Sequence, residues 1–384
     1  MTDAHAVRAL LEPEHLVLAA SADAFVADAL LGQDPPEDDA EARARARDHL
    51  VSLGEGGWLN PIERQDLRAC CLVREALAAA SPLADAVFAL QALAATPVLL
   101  FANDETRDRW LPALIAGDAM GAFAMTEPGA GSDVQALETT ALKDGDHYVL
   151  SGRKAFISNA GIADVYVVFA STDPGAGGRG LSAFVVPADT AGFSFVGAQV
   201  MSAPHPLGEI ELSECRIPMS AMVGHEGEGF KIGMATFDRL RPTVAAAACG
   251  MAGRALEEAT SHALERRQFG QVLADFQLIQ EKLARMATEL TASRFLAYRA
   301  AWEKDQGADR ITLEAAMAKA YATEAAQRIV DDAIQILGGR GVLAESVVDR
   351  LYRSVRALRI YEGATDIQHL IIAGHRLKSR RESS

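Results

Sequence analysis

Apolar residues recur at helical spacing through the first part of the chain, up to about Gly117. Residues 105–116 set Trp110, Leu111, Leu114 and Ile115 along one face, and Pro35-Pro36, Asn60-Pro61 and Ser81-Pro82 mark breaks between helical runs. The pattern changes near Gly121. From there to about Val223 it consists of short β-rich runs, at 148–150, 165–169, 181–186, 193–196 and 210–212, separated by turn residues such as Asp144-Gly145 and Ser151-Gly152. No run is followed by a crossover helix, which predicts antiparallel strands in a small barrel or sandwich. Beyond Gly229 the helical period returns, with Ile279, Leu283, Met286 and Leu290 on one stripe and Leu313, Met317 and Ala320 on another. Long helices with few breaks predict an antiparallel bundle. The parts expected are therefore an all-α segment over 1–118, a β segment over 119–222 and a helical segment over 223–384. The most apolar stretch, 84–101, is interrupted by Asp85, Gln91 and Pro97 and reads as a buried helix, short of the roughly 18 unbroken apolar residues of a membrane span.

Composition narrows the functional classes. With 52 acidic against 37 basic residues the formal charge is -15, and 49% hydrophobic residues are enough for a large core, which excludes a disordered chain. An acidic field repels phosphate backbones and anionic lipid, so neither nucleic acid nor a membrane surface is an expected partner. The one basic cluster, 375–381, reads as a solvated terminus. Cys70, Cys71, Cys215 and Cys249 show no CxxC spacing, so no metal site or disulfide framework is expected and a reducing cytoplasm fits. Residues 1–14 carry acids and lack both an apolar h-region and an Arg-rich amphipathic pattern, so no targeting step is expected.

Two Gly-rich stretches invite a cofactor reading. Gly175-Ala176-Gly177-Gly178-Arg179-Gly180 fits G-x-G-x-x-G, but a strand follows it where a dinucleotide fold needs a helix, so it reads as a hairpin loop. The second, Phe123-Ala124-Met125-Thr126-Glu127-Pro128-Gly129-Ala130-Gly131-Ser132-Asp133, lies where the helical and strand-rich parts meet. Its glycines let backbone N–H groups approach a ligand, and Thr126 and Ser132 offer hydroxyls. On composition alone it reads as an ordinary interdomain turn.

This run, followed by Lys143-Asp144-Gly145-Asp146 and Ser151-Gly152-Arg153-Lys154-Ala155-Phe156-Ile157-Ser158-Asn159-Ala160, resembles the middle domain of the acyl-CoA dehydrogenase family. Four later motifs agree in order and spacing. They are Phe237-Asp238-Arg239-Leu240-Arg241, then Arg266-Arg267-Gln268-Phe269-Gly270 with Gln277, then Gln335-Ile336-Leu337-Gly338-Gly339-Arg340-Gly341, and last Ile360-Tyr361-Glu362-Gly363-Ala364-Thr365-Asp366-Ile367-Gln368. The resemblance spans about residues 85–375. It implies an α+β multidomain chain with an all-α N-terminal domain, an antiparallel β-barrel-like middle domain and a C-terminal four-helix bundle. It also implies FAD as cofactor, desaturation of an acyl thioester between its α and β carbons, an electron-transfer flavoprotein as acceptor, and a homotetramer or homodimer.

Carried over residue by residue, the resemblance sets Phe123, Met125, Thr126 and Ser132 along the flavin ring and pyrophosphate, with Phe156, Ile157 and Ser158 on the ring's other side. Arg266, Gln268, Phe269 and Gln277 would reach the FAD of a neighbouring subunit, with Gln335, Gly338 and Gly339 on the same ADP portion and Ala364, Thr365 and Asp366 also near FAD. Asp238, Arg241, Tyr361, Gly363 and Ser132 fall at thioester-carrier positions. Asp238 and Arg241 are equally an i,i+3 helix salt bridge by spacing. Glu362 falls at the position of the base that takes the α-proton. The alternative base position of some subfamilies is occupied here by Leu240, which cannot accept a proton.

Four departures qualify the match. Phe156 stands where many relatives have Trp and Ser158 where Thr is common, and the usual Gly-Thr-Ser appears as Gly363-Ala364-Thr365, which moves or removes one hydroxyl. The segment 201–208, Met-Ser-Ala-Pro-His-Pro-Leu-Gly, replaces a Lys- and Gly-containing stretch, and His205 between two prolines reads as a rigid loop residue or a phosphate ligand. The carrier is then CoA or an acyl carrier protein, with the acidic charge favouring CoA. An oxygen-using oxidase and a silent FAD-binding subunit are the other readings, and the retained carboxylate at Glu362 argues against the second.

Overall fold

The computed structural model describes residues 3–382, so the outermost residues of the first and last expected parts, 1–2 and 383–384, lie outside the described residues. In chain order the helices of the first part are α1 Pro13–Ala29, α2 Asp39–Glu55, α3 Asn60–Glu63, α4 Leu67–Ala80, α5 Pro82–Phe101 and α6 Asp104–Ala116. The strands β1 Gly121–Ala124, β2 Thr140–Asp144, β3 His147–Ser158, β4 Val165–Ser171, β5 Leu181–Pro187, β6 Phe193–Ala198, β7 Leu207–Pro218 and β8 Met222–Val223 follow. The last part holds α7 Gly229–Glu265, the hairpin β9 Arg267–Gln268 and β10 Gln271–Val272, then α8 Gln277–Asp305, α9 Thr312–Leu337, α10 Val347–Leu358 and α11 Thr365–Glu382.

By packing, the described chain forms two compact units. One is built from the stretch up to Asp34, from Asp66–Asp85 and from Asp238 onward; the other from Pro35–Gln65 and Ala86–Phe237. The helices of the first part are thus divided: α1 and α4 belong to the unit of the C-terminal helices, and α2, α3 and α6 to that of the strands.

In the strand-containing unit the sheet runs β6-β7-β3-β2-β4-β5-β8, with β1 beside β4. Most pairings are antiparallel, as the turn dipeptides predict, but β1 lies parallel to β4 over four residues and β2 meets β4 in parallel at Thr140 and Ser171. The sheet is therefore mixed: β1 enters from helix α6 and not from a hairpin, so no tight turn fixes its direction. The register of β3 on β7 shifts between Lys154 and Ile157, and at that irregularity Phe156 adopts a positive φ of 55°. A bulge of this kind re-aims one side chain out of the alternation. The run 175–180 is a short 3-10 segment between β4 and β5, a connection and not a cofactor loop.

In the other unit α8 packs along α9, and α9 carries α10 and α11 on its flanks. The four long helices α7, α8, α9 and α11, of 37, 29, 26 and 18 residues, are those a bundle needs. Helix α4 is buried on every side over 67–79, including Arg68, Arg74 and Glu75, so its charges must be paired internally. Helix α5 continues through Pro97 for 20 residues and is, by length and composition, apolar enough to cross a membrane; 78% of its apolar window is buried inside the protein, as in a core helix.

Candidate active site

Glu362 sits in the turn between α10 and α11. Both it and Gly363 have positive φ, 53° and 92°, a conformation that a side chain bearing Cβ enters at a cost. Four polar contacts hold the turn: Arg241 Nε donates to Glu362 O at 2.9 Å, Gln368 Nε2 donates to Glu362 O at 3.3 Å and Gly363 O at 2.9 Å, and Lys319 Nζ donates to Gly363 O at 2.8 Å. A Cβ at position 363 would stand 2.5 Å from Gln368 Nε2 and 3.2 Å from Arg241 Nη2, so this site requires glycine. The Glu362 residue is 9% exposed and its Oε2 has no partner among the described residues. Burial raises its pKa above the ordinary glutamate value, opposed by Arg74, Arg241 and Lys319 and reinforced by Asp85. The result is a desolvated carboxyl with an unoccupied acceptor atom.

The charges around it are fixed. Arg74, 1% exposed, donates from Nε and Nη2 to the two carboxylate oxygens of Asp85 at 2.7 and 2.9 Å and from Nη1 to Thr243 Oγ1 at 2.8 Å. Burial raises the Asp85 pKa, and Arg74 works against that rise. Tyr361 is 38% exposed as a residue, yet its hydroxyl is desolvated beside Arg74 and its pKa is pushed up. Burial brings Lys319 down to about 8, with Glu362 pulling the other way. Sequence reasoning missed Arg74, Thr243 and Lys319, and took Asp85 only as an interruption of an apolar run. An acid inside an otherwise apolar helix was the available signal.

Asp238 and Arg241, both in α7 and both buried, form the i,i+3 pair, although Nη1 and Oδ1 are 3.4 Å apart. Asp238 also accepts from Arg310 at 3.4 Å and from the Thr312 hydroxyl. Arg241 makes its shorter bond to the Glu362 carbonyl, a positioning role absent from the sequence reading. Leu240 is 4% exposed and apolar, as the alternative base position requires if it is not used.

In the strand-containing unit, Phe123 packs against Phe169 and Phe237 with ring centroids 4.8 and 5.4 Å away, and Met125 and Ile157 are 3% and 1% exposed. These side chains belong to the core. Thr126 is half-buried, Ser132 is exposed, and a Cβ added at Gly129 or Gly131 meets nothing within 4 Å. The loop is fastened by a pair the sequence reading quoted without a role. Lys154, fully buried on β3, donates to Glu127 Oε1 at 2.7 Å and to Met125 O at 3.2 Å, while Glu127 also accepts from the backbone N–H groups of Glu138 and Thr139. Burial lowers Lys154 to about 8 despite Glu127; burial alone would raise Glu127, but Lys154 and the hydrogen bonds hold it below its ordinary value. Phe156 is 60% exposed, its N–H donating to Gln199 Oε1 at 2.7 Å, and Ser158 Oγ lies 2.8 Å from His205 Nε2.

The remaining candidates lie on exposed backbone. Arg266, Gln268 and Phe269 form the approach and tip of the β9–β10 hairpin, where Phe269 and Gly270 take the two positive φ values of a tight turn and Phe269 is 95% exposed. Gln277 opens α8, and Gln335, Gly338 and Gly339 lie at the exposed end of α9, with open space where either glycine's Cβ would stand. Ala364 is half-buried and Asp366 exposed, whereas the Thr365 hydroxyl is already engaged, donating to Glu324 Oε1 at 2.9 Å with Arg359 O a second acceptor 3.3 Å away. Open-backed glycines beside free hydroxyls, an exposed aromatic face at Phe156 and exposed Arg and amide side chains make a donor set that fits a flavin dinucleotide. Of the predicted hydroxyls, Thr365 and Ser158 are already engaged within the protein.

A buried carboxyl with one unpartnered oxygen in one unit, and in the other a hydroxyl-bearing loop that suits a flavin, fit a flavin-type oxidoreductase. The comparisons give its family. The models described as acyl-CoA dehydrogenase N-terminal, middle and C-terminal domain match residues 12–118, 122–215 and 227–377. A 3-(aryl)acrylate reductase of Clostridium sporogenes is 41% identical, covering 82% of this chain and 84% of that protein. The mitochondrial short-chain specific acyl-CoA dehydrogenase of Sus scrofa is 45% identical over 74% of this chain and 70% of its own. Among solved structures, butyryl-CoA dehydrogenase from Megasphaera elsdenii superposes with a TM-score of 0.87 at 32% identity, covering 96% of this chain and 99% of that one. The chain belongs to the acyl-CoA dehydrogenase family. It is an oxidoreductase of that family with FAD as cofactor and the family's three-domain fold.

Proposed function

We propose that the chain dehydrogenates an acyl-CoA thioester to its trans-2-enoyl product, with Glu362 removing the α-proton. The observation that carries this reading is the Glu362 carboxyl: buried, raised in pKa, and bearing one oxygen with no partner. A thioester α-proton is only weakly acidic, so a desolvated carboxylate is the stronger base for it once ionised. FAD, when bound, supplies the acceptor for the β-hydride. Arg241, Gln368 and Lys319 fix the carbonyls of the turn, which keeps the carboxyl at one position and holds the Glu362 N–H in a constant direction, suited to donate to a thioester oxygen as charge develops there.

Thr126 and Ser132 would hold the flavin from the loop fastened by Lys154, with Phe156 offering a stacking face and Ser158 a hydroxyl. Phe269, an aromatic ring almost wholly in solvent, supports an assembly of like subunits in which the β9–β10 hairpin and Gln277 meet a neighbour's FAD. An electron-transfer flavoprotein is the proposed acceptor and CoA the proposed carrier. Four buried free cysteines suit the reducing cytoplasm that this reading expects.

The test is anaerobic mixing of the purified yellow protein with a panel of acyl-CoAs and acyl carrier proteins while flavin absorbance is followed. Bleaching by an acyl-CoA is expected. Bleaching by no thioester would sink the reading, bleaching by acyl carrier proteins alone would change the carrier, and rapid recolouring in air would make the enzyme an oxidase.

A further inference from the structure

The segment 199–207 brackets the end of β3. Gln199 Oε1 accepts from the N–H of Phe156 at 2.7 Å, and His205 Nε2 lies 2.8 Å from Ser158 Oγ, so two side chains of one segment hold residues 156 and 158. The segment is itself clamped. Asn159 N–H donates to Pro206 O, Gln199 N–H to Leu207 O, and Arg43 Nη2 to Leu207 O, each at 2.9 Å. The proline after His205 also confines the His backbone to extended conformations. This is a built contact, and the proton-transfer chemistry does not use it.

We propose that His205 is a positioning residue that donates from Nε2 to Ser158 Oγ, leaving the serine's own proton free for an acceptor atom of the flavin ring. The inference rests on the FAD reading above and deepens it. The proton's position on the imidazole follows from the other nitrogen. Nδ1 is buried with no partner among the described residues, and a buried N–H without an acceptor is rarer and costlier than a buried lone pair without a donor. The proton is therefore on Nε2, and Ser158 Oγ accepts it. The doubly protonated form is disfavoured because burial, with Arg43, brings the His205 pKa down to about 4, against the pull of Asp39. Ser158 thus keeps one orientation over the working pH range, which a serine alone, with a freely rotating hydroxyl, does not.

The test compares His205→Phe, His205→Gln, Ser158→Ala and the double variant Ser158→Ala/His205→Phe, each checked for fold by circular dichroism and thermal melting. Apoprotein is titrated with FAD, and the visible absorption bands of the oxidised flavin are recorded. The expected result is that His205→Phe weakens FAD binding about fivefold, one hydrogen bond's worth, and displaces the bands in the same direction as Ser158→Ala. His205→Gln, which keeps an N–H donor, stays nearer to wild type, and the double variant is no worse than Ser158→Ala. A His205→Phe variant at wild-type values beside a perturbed Ser158→Ala overturns the proposal, as does an additive double variant or a Gln variant no better than Phe. If Ser158→Ala changes neither readout while FAD binds, both the positioning role and the Ser158 assignment fall while FAD use stands. A wild-type chain that takes up no FAD overturns the function itself.

Discussion

Replacing Arg74 by Met tests the electrostatics around the base most directly. Arg74 makes three hydrogen bonds, two of them charge-assisted bonds to Asp85, and both residues are 1% exposed. Removing one partner of such a pair strands the other charge in a medium that cannot solvate it, at a cost of about 3–5 kcal/mol. Losing the Thr243 contact adds about 1 kcal/mol. Asp85 has a way to limit the damage: burial already favours its protonated form, so without Arg74 it takes up a proton, and the loss is expected nearer the lower figure. Arg74→Met/Asp85→Leu, which removes both charges, should recover at least about 2 kcal/mol of that loss. Urea denaturation followed by circular dichroism gives these numbers. The pH profile gives an independent readout. Arg74 is the largest of the charges that hold the Glu362 pKa down, so the acid limb of kcat/KM should move to higher pH in Arg74→Met. Asp85 acts in the opposite direction, and Asp85→Asn should move the limb to lower pH. An unmoved limb in both variants, or a double variant as unstable as the two singles added, would refute the view that this pair sets the field at Glu362.

Further predictions follow from the other contacts. Glu362→Gln should lower kcat by at least about 100-fold, the contribution of a positioned base, while leaving FAD bound, as anaerobic flavin bleaching will report. Because the folded-state pKa of Glu362 is raised above the unfolded value, its contribution to stability is present at low pH and lost as pH rises through the folded value. The Gln variant should therefore melt higher than wild type at pH 8, with the difference narrowing towards about pH 4. Arg241→Lys should lower kcat roughly 10- to 100-fold, the worth of a buried hydrogen bond from a charged group, since the Glu362 carbonyl loses its Nε donor. Lys154→Met leaves Glu127 buried with only backbone donors; it should cost about 3–5 kcal/mol in denaturation and weaken FAD binding in an apoprotein titration, whereas Arg153→Met, removing an exposed charge one residue away, should do neither.

The order of helical, strand-rich and helical parts was legible because it depends on local signals: a 3.6-residue period over 105–116 and 279–290, and short β-rich runs bounded by turn residues between them. The parallel entry of β1 was not, since strand direction is decided by what the preceding helix packs against, and a four-residue apolar run carries no sign of it. The hairpin at 267–272 was also hidden. Its turn residues, Phe269 and Gly270, do not form one of the usual Asn-Gly or Asp-Gly pairs. Glu362 came from a motif, and the structure adds what no motif states, the hydrogen bonds that keep a glutamate in a left-handed conformation.

The residues the sequence reading passed over share a physical signature. Asp85 interrupts an apolar helix, Arg74 and Glu75 sit in a run buried on all sides, and Lys154 falls on an inward-facing strand position. A lone charge at a position that period assigns to the core must find a partner across the fold, because isolated it would cost more than the chain's net stability allows. The partners are distant in sequence: Lys154 and Glu127 are separated by 27 positions, and Arg294 reaches Glu75 across 219 at 2.7 Å. Separation of that size hides the pairing from any window of sequence, but the misplaced charge itself is visible in one. Such positions were therefore readable as charges awaiting a partner; in this chain the Arg74–Asp85 pair acts on the base and the Lys154–Glu127 pair fastens the proposed flavin loop.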